Sequence, residues 1–227
     1  MKKLSILFIN PCLRPGHNNK ILPVGLAHVM TYVKSQGYEF DLLDVDIHNY
    51  SDEFVEDYIR TNPYDVILYG SIVTHYAWIK WLTHAIKQHQ PDTRVVVGNS
   101  VAGSCWEVFM GHAPADVVII GEGEFTCVAV LDAFQSGTEL TEVEGITFRN
   151  EQGQVVITPK RKAGNIHELP LVDWKFFEVD RYYIVLAGIR AVALAGKIDK
   201  SRTIKIPETS IELHLITALM KTRVLII

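Results

Sequence analysis

Hydrophobic positions in the first 140 residues alternate between two spacings. Short apolar runs, most of them rich in Ile, Val and Leu, fall at residues 4–9, 39–44, 65–69, 94–97 and 116–120, and between most of them apolar residues recur at helical intervals. Runs of this length are strands buried on both faces, and their alternation with amphipathic stretches predicts a parallel sheet covered by helices on both sides. Helices are predicted over 23–35, where Leu26, Val29, Met30 and Val33 share a face, and over 52–60, with Phe54, Val55, Tyr58 and Ile59. Two more follow, over 76–89 with Ile79, Leu82 and Ile86 inward, and over 125–134. The punctuation agrees. Pro23 stands near a helix start, Gly37 and Gly137 lie just past helix ends, and Pro63 and Pro91 close the second and third helices.

Past residue 140 the period shortens. Residues 146–149 and 155–158 flank a polar turn containing Gly153, which predicts a β-hairpin. Residues 159–183, with Pro159, Gly164, Pro170 and Trp174, read as a linker packed on the surface. From 185 to 227 an Ala/Val/Leu/Gly-rich segment, a basic stretch and an apolar end follow one another without a repeat. The expected fold is α/β, doubly wound and flavodoxin-like: a five-stranded parallel sheet with helices on both faces, plus a C-terminal β-hairpin and linker. The expected division is a Rossmann-like domain over 1–140, hairpin and linker over 141–184, and a tail over 185–227.

Composition narrows the function more than the fold. Of 227 residues 48% are hydrophobic, and 22 Lys+Arg stand against 26 Asp+Glu with no long block of one sign, so neither nucleic acid nor an anionic membrane surface is an expected partner. Cys12, Cys105 and Cys127 are three, far apart, and form no Cys-x2-Cys pair. That argues against a disulfide framework or zinc site and for a reduced, cytoplasmic setting. The apolar run after Lys2-Lys3 ends at Asn10-Pro11, short of the ~7–15 residues of a signal peptide core, and reads as a buried strand.

In an open parallel sheet, ligands bind beyond the carboxyl ends of the strands. There the chain carries Asn10-Pro11-Cys12 with a long loop to Gly25, then Gly70-Ser71-Ile72-Val73-Thr74, Gly98-Asn99-Ser100 and Gly121-Glu122-Gly123-Glu124. Glycines there admit close approach of a large ligand to the backbone, and hydroxyls such as Ser71 and Thr74 add uncharged hydrogen bonds. No Gly-x-Gly-x-x-Gly follows the first strand, and no phosphate-binding Gly-x4-Gly-Lys motif occurs. The glutamates beside Gly121 and Gly123 would repel a pyrophosphate.

The segments Ile6-Leu7-Phe8-Ile9-Asn10-Pro11, Leu22-Pro23-Val24-Gly25-Leu26-Ala27, Asp41-Leu42-Leu43-Asp44, Val95-Val96-Val97-Gly98 and Gly121-Glu122-Gly123-Glu124 occur in this order. Their order resembles the N-terminal cobalamin-binding domain of cobalamin-dependent radical S-adenosylmethionine enzymes, over about residues 3–183. The resemblance implies base-off cobalamin with its dimethylbenzimidazole tail in the crevice. In such enzymes the cofactor relays a methyl group to carbon or phosphorus, or assists a radical step. Cofactor contacts are accordingly expected at Asn10, Pro11, Gly25, Gly70, Ser71, Val73, Thr74, Gly98, Asn99, Gly121, Glu122 and Gly123, with no protein ligand to the metal and no catalytic residue in this chain.

Two departures stand out. The family's cluster-binding Cys-x3-Cys-x2-Cys is missing from these 227 residues, so no iron–sulfur cluster is expected here, and a separately encoded radical S-adenosylmethionine domain is the implied partner. Asn99 occupies a position where the family usually has a second glycine, which should crowd the loop near the nucleotide tail. Asp46-Ile47-His48 imitates part of the Asp-x-His-x-x-Gly cobalt-ligating motif but follows the second strand and has Ser51 at the glycine position, so His48 reads as a solvated loop histidine. His75 reads as a helix-start residue facing the crevice, and His17 and His28 carry no stronger signal. The competing reading is a flavodoxin-like interaction domain without cofactor, its glycines only shaping turns.

Overall fold

A computed structural model describes residues 3–16 and 20–182. The predicted tail from residue 185, and His17, lie outside the described residues. Five parallel strands form the body of the sheet: β1 (Ile6–Asn10), β2 (Asp41–Asp44), β3 (Val66–Gly70), β4 (Arg94–Gly98) and β5 (Val117–Ile119). The hairpin strands β6 (Ile146–Arg149) and β7 (Val155–Ile157) continue the same sheet in antiparallel fashion, giving the order β2-β1-β3-β4-β5-β6-β7. The five parallel strands and the hairpin are as expected, and the hairpin joins their sheet, which brings it to seven strands. β6 covers the edge that β5 would otherwise leave unpaired, and β7 becomes the outer strand, with Val155 and Ile157 exposed.

Helices α1 (Val24–Ser35) and α7 (Gly123–Ser136) pack against each other on one face. The other face carries α3 (Asp52–Thr61) and α4 (Tyr76–His89), together with α6 (Trp106–His112). Successive strand residues point to opposite faces, and the two cores divide accordingly. Ile6, Phe8, Val66, Leu68, Val96, Val117 and Ile119 meet α1 and α7, whereas Leu7, Ile9, Ile67, Tyr69, Val95, Val97 and Val118 meet the other helices. Strand order reverses between β1 and β3, which opens the carboxyl edge there.

Three short helices were not predicted: α2 (Val45–His48), α5 (Asn99–Gly103) and α6. Each is too short for a periodic signal, and Gly103 and Gly111 interrupt the pattern of the last two. Local caps hold what periodicity does not. Asp44 accepts a bond from the Ile47 N–H at 3.2 Å, and Ser51 caps α3 through the Phe54 N–H at the same distance.

The linker folds back across the α1/α7 face. Its Asp173 N–H donates to Thr31 Oγ1 at 2.9 Å, Phe176 packs on Phe40, and Trp174, Phe177 and Tyr182 enter the core. Gly164 is required where the linker crosses the first turn of α7, since a Cβ there would overlap the Phe125 ring. Among the described residues no helix is long and apolar enough to cross a membrane.

Candidate binding crevice

The carboxyl ends of β1, β3, β4 and β5 open onto a crevice of about 480 Å³, bounded by the N-terminal turns of α1 and α7. Phe8, Leu68, Val96 and Ile119 form its apolar floor. Ten of the twelve expected contact residues line it: Asn10, Pro11, Gly25, Gly70, Ser71, Gly98, Asn99, Gly121, Glu122 and Gly123. Val73 and Thr74 do not. They lie on a 3₁₀ turn (Val73–His75) that carries both outward, so the hydroxyl expected from Thr74 faces solvent instead.

The glycines serve different ends. Gly70 and Gly98 are register partners in β3 and β4, and a Cβ on Gly70 would stand 2.9 Å from the Gly98 carbonyl oxygen, so Gly70 is needed for strand contact. A Cβ on Gly98 would meet no protein atom within 4 Å, so a side chain there projects into the crevice. Gly121 has φ +90°, a conformation that side-chain-bearing residues rarely adopt. Asn99 also sits in the left-handed region, at φ +66°, with its Oδ1 accepting from the Ser100 N–H at 2.6 Å. Asparagine is among the non-glycine residues best able to adopt that backbone conformation.

Charge is sparse in the crevice and entirely acidic. Among the described residues that line it there is no Lys or Arg, while Glu122 and Glu124 are present, and Glu122 also accepts from the Gly164 N–H at 3.3 Å. Burial pushes the Cys127 thiol up to about 12, with Glu124 adding to the effect, so the one sulfur in the wall is a neutral thiol.

The polar end of the crevice is assembled from three distant segments. Asn10 and Asp44 are register partners in β1 and β2, and Asn10 Nδ2 donates to Asp44 Oδ1 at 2.8 Å. The same nitrogen donates to the Tyr182 hydroxyl at 3.2 Å, and that hydroxyl donates to Asp44 Oδ2. Burial, followed by the nearby Asp44 carboxylate, holds the Tyr182 phenol well above its ordinary range, so it keeps its proton. Nothing local to Asp44 or Tyr182 marks either as a partner of Asn10. Leu13, Ile72, Val29 and Cys127 were also missed as lining residues.

The histidines lie elsewhere. His48 pairs through Nε2 with Glu178 at 2.8 Å, receives Arg181 Nη1 at Nδ1, and stacks on Tyr50. Asp46, which in the imitated motif would orient it, is instead buried against Lys20 Nζ at 3.1 Å. His75 does not line the crevice: its ring stacks on Trp78 and its Nδ1 lies 3.3 Å from Ser71 Oγ. His28 sits on α1 away from the lining. Among the described residues no three His, Cys, Asp or Glu side chains are grouped to hold a metal.

Residues 18–131 match the family model described as the B12 binding domain. A cytidylyl-2-hydroxyethylphosphonate methyltransferase of Streptomyces wedmorensis is 21% identical over 73% of this chain and 38% of its own length. An anaerobic magnesium-protoporphyrin IX monomethyl ester cyclase of Rubrivivax gelatinosus is 25% identical over 80% of this chain and 34% of its own. The chain thus corresponds to little more than a third of these relatives. Two solved structures share its fold. The cobalamin-dependent S-adenosylmethionine radical enzyme OxsB, with aqua-cobalamin and S-adenosylmethionine bound, superposes with a TM-score of 0.64 at 19% identity, covering 75% of this chain and 24% of that one. The radical S-adenosylmethionine methyltransferase TsrM of Kitasatospora setae, with cobalamin and a [4Fe-4S] cluster bound, gives 0.61 at 17% identity, covering 72% and 30%.

Proposed function

The chain belongs to the B12 binding domain family, and from that premise we propose that it is a cobalamin-binding module that takes the cofactor base-off, through a domain over residues 1–140 supplemented by the hairpin and linker over 141–184. The observation that carries this reading is the shape of the crevice and the uncharged groups at its strand ends. Its floor is apolar, glycines edge its strands, and the space above Gly98 is open. About 480 Å³ lies within the range of small-molecule pockets and has room for the benzimidazole end of a nucleotide tail. Leu13, Ile72 and the neighbouring Val73 leave 45%, 42% and 54% of their surfaces exposed beside the opening, an apolar shelf on which a corrin face would rest.

Ser71, Gly98, Asn99 and Gly121 would hold the tail, with backbone and uncharged groups making the polar contacts, and Asn10 would meet a primary amide at the corrin's rim. Bound cobalamin supplies a cobalt centre able to carry a methyl group or take part in one-electron chemistry. This chain's residues contribute binding, orientation and exclusion of water from the tail. Capture of the nucleotide tail between the sheet and the N-terminal turns of α1 and α7 would draw the benzimidazole away from the cobalt, which is the base-off form.

We further propose that the radical step is carried by an S-adenosylmethionine domain outside these 227 residues. Cys12 packs in the core on the α3/α4 face and Cys127 in the core on the α1/α7 face, so the two do not converge on one cluster. With only Cys105 left, three thiolates cannot be gathered from this chain. Expected partners are therefore cobalamin and that domain, in the cytoplasm.

Equilibrium titration with aquacobalamin, run beside FMN and NAD, tests the cofactor assignment. Saturable one-to-one binding of aquacobalamin with neither nucleotide competing is expected. Tighter binding of FMN or NAD, or no corrinoid binding, would overturn it.

A further inference from the structure

The amide of Asn10 has two N–H donors and one carbonyl acceptor. Its orientation is fixed by chemistry: Asp44 Oδ1, as a carboxylate oxygen, accepts only, so the atom 2.8 Å from it must be the amide nitrogen. The second hydrogen goes to the Tyr182 oxygen at 3.2 Å, which is available as an acceptor because the phenolic proton is committed to Asp44 Oδ2. Asp44 is held in turn by the Ile47 N–H at 3.2 Å. Both donors of Asn10 are thereby used on the protein side, and the group it retains for the crevice it lines is the carbonyl oxygen.

We infer that Tyr182 is a positioning residue for the cofactor: by engaging the second amide hydrogen of Asn10 it turns the Asn10 carbonyl toward the crevice as a dedicated acceptor for a ligand N–H. The inference rests on the cobalamin reading, since the primary amides around a corrin supply such donors. It adds a link between two parts of the chain 172 residues apart. Tyr182 follows a 3₁₀ turn (Val179–Arg181) whose Arg181 is tied to the Ile47 carbonyl and to His48, so the end of the linker is docked on the β1/β2 edge. Docking of this segment and affinity for the cofactor are then coupled, and each must strengthen the other. A ligand that presents an acceptor to Asn10, as a phosphate does, gains nothing from this arrangement.

The test compares aquacobalamin affinity in the full chain and in Tyr182→Phe, Asn10→Leu, the double variant and Tyr38→Phe, with thermal midpoints for each. Tyr38 donates to Asp132 at 2.6 Å on the α1/α7 side, so its variant removes a similar tyrosine–carboxylate bond away from the crevice. Tyr182→Phe is expected to weaken binding roughly tenfold while Tyr38→Phe binds as the unmodified chain does. The double variant should bind no more weakly than Asn10→Leu alone, because Tyr182 acts through Asn10. Backbone amides of 174–182 should exchange more slowly when aquacobalamin is bound. Additive losses, unchanged affinity in Tyr182→Phe, or an equal loss in Tyr38→Phe would overturn the positioning role and leave the cofactor assignment intact. If Asn10→Leu does not fold, the Tyr182→Phe and Tyr38→Phe pair still decides. Failure of the unmodified chain to bind aquacobalamin would remove both.

Discussion

The two ends of the crevice are built by different means. At β3, β4 and β5 the edge is backbone: Gly70 and Gly98 end their strands, Gly121 stands two residues past β5, and no side chain is needed. At β1 and β2 the edge is a buried polar triad, Asn10, Asp44 and Tyr182, whose members meet only because β1 and β2 are in register and the linker returns to them. The glycine end provides room. The triad end provides direction. A ligand bound across both would owe its fit to the first and its polar register to the second.

That contrast breaks most visibly at Gly70. A Cβ there meets the Gly98 carbonyl at 2.9 Å, so Gly70→Val should force β3 and β4 apart and cost about 1–3 kcal/mol or more, seen as a large drop in thermal midpoint before any ligand is added. An unchanged midpoint would show that the strand contact is looser than described.

Gly98→Val should do the reverse. Its Cβ points into open space and its φ is ordinary at −128°, so the protein should fold with a nearly unchanged midpoint and lose at least tenfold in aquacobalamin affinity. Equal loss of stability and binding would show that Gly98 only shapes the turn.

Gly121 stands between these cases. Its φ of +90° makes any side chain strained, so Gly121→Ala should lower stability by about 1 kcal/mol and weaken binding as well, measured together by thermal melts with and without cofactor. Retained stability with lost binding would place its role in ligand space alone.

The smallest effect expected is a pH dependence at the Ser71 loop. Burial holds the His75 imidazole below its usual value of 6.5, against the opposing pull of Asp52 and Asp46. As pH falls through 6.5 the unfolded chain takes up this proton before the folded one does, so His75 subtracts stability increasingly on the acid side and nothing above neutrality. His75→Gln should flatten that part of the stability–pH curve. An NMR titration midpoint for His75 at or above 6.5 would contradict the burial argument.

Much of the fold was legible because it is local. The Tyr76–His89 helix matched its periodicity at both ends, and the strands fell within two residues of their apolar runs, because burial on both faces leaves an unbroken signature. The glycine end of the crevice was legible for the same reason: each residue lies at the end of its own strand. What escaped notice depends on distance in sequence. The hairpin's place in the sheet comes from pairing of Ile119 with Ile146, which no single segment encodes. Asp44 read as the end of a strand and Tyr182 as part of a linker, and their shared bonds to Asn10 exist only in three dimensions. Thr74 misled because its proximity to Ser71 concealed a 3₁₀ turn that carries it outward.

The visible spectrum of aquacobalamin on mixing with the purified chain at neutral pH tests the cofactor assignment most directly. Free cobalamin is base-on under these conditions, and capture of its nucleotide tail between α1, α7 and the sheet should convert it stoichiometrically to the base-off form, with Gly98→Val abolishing the change. A spectrum that stays base-on at saturating protein would contradict it.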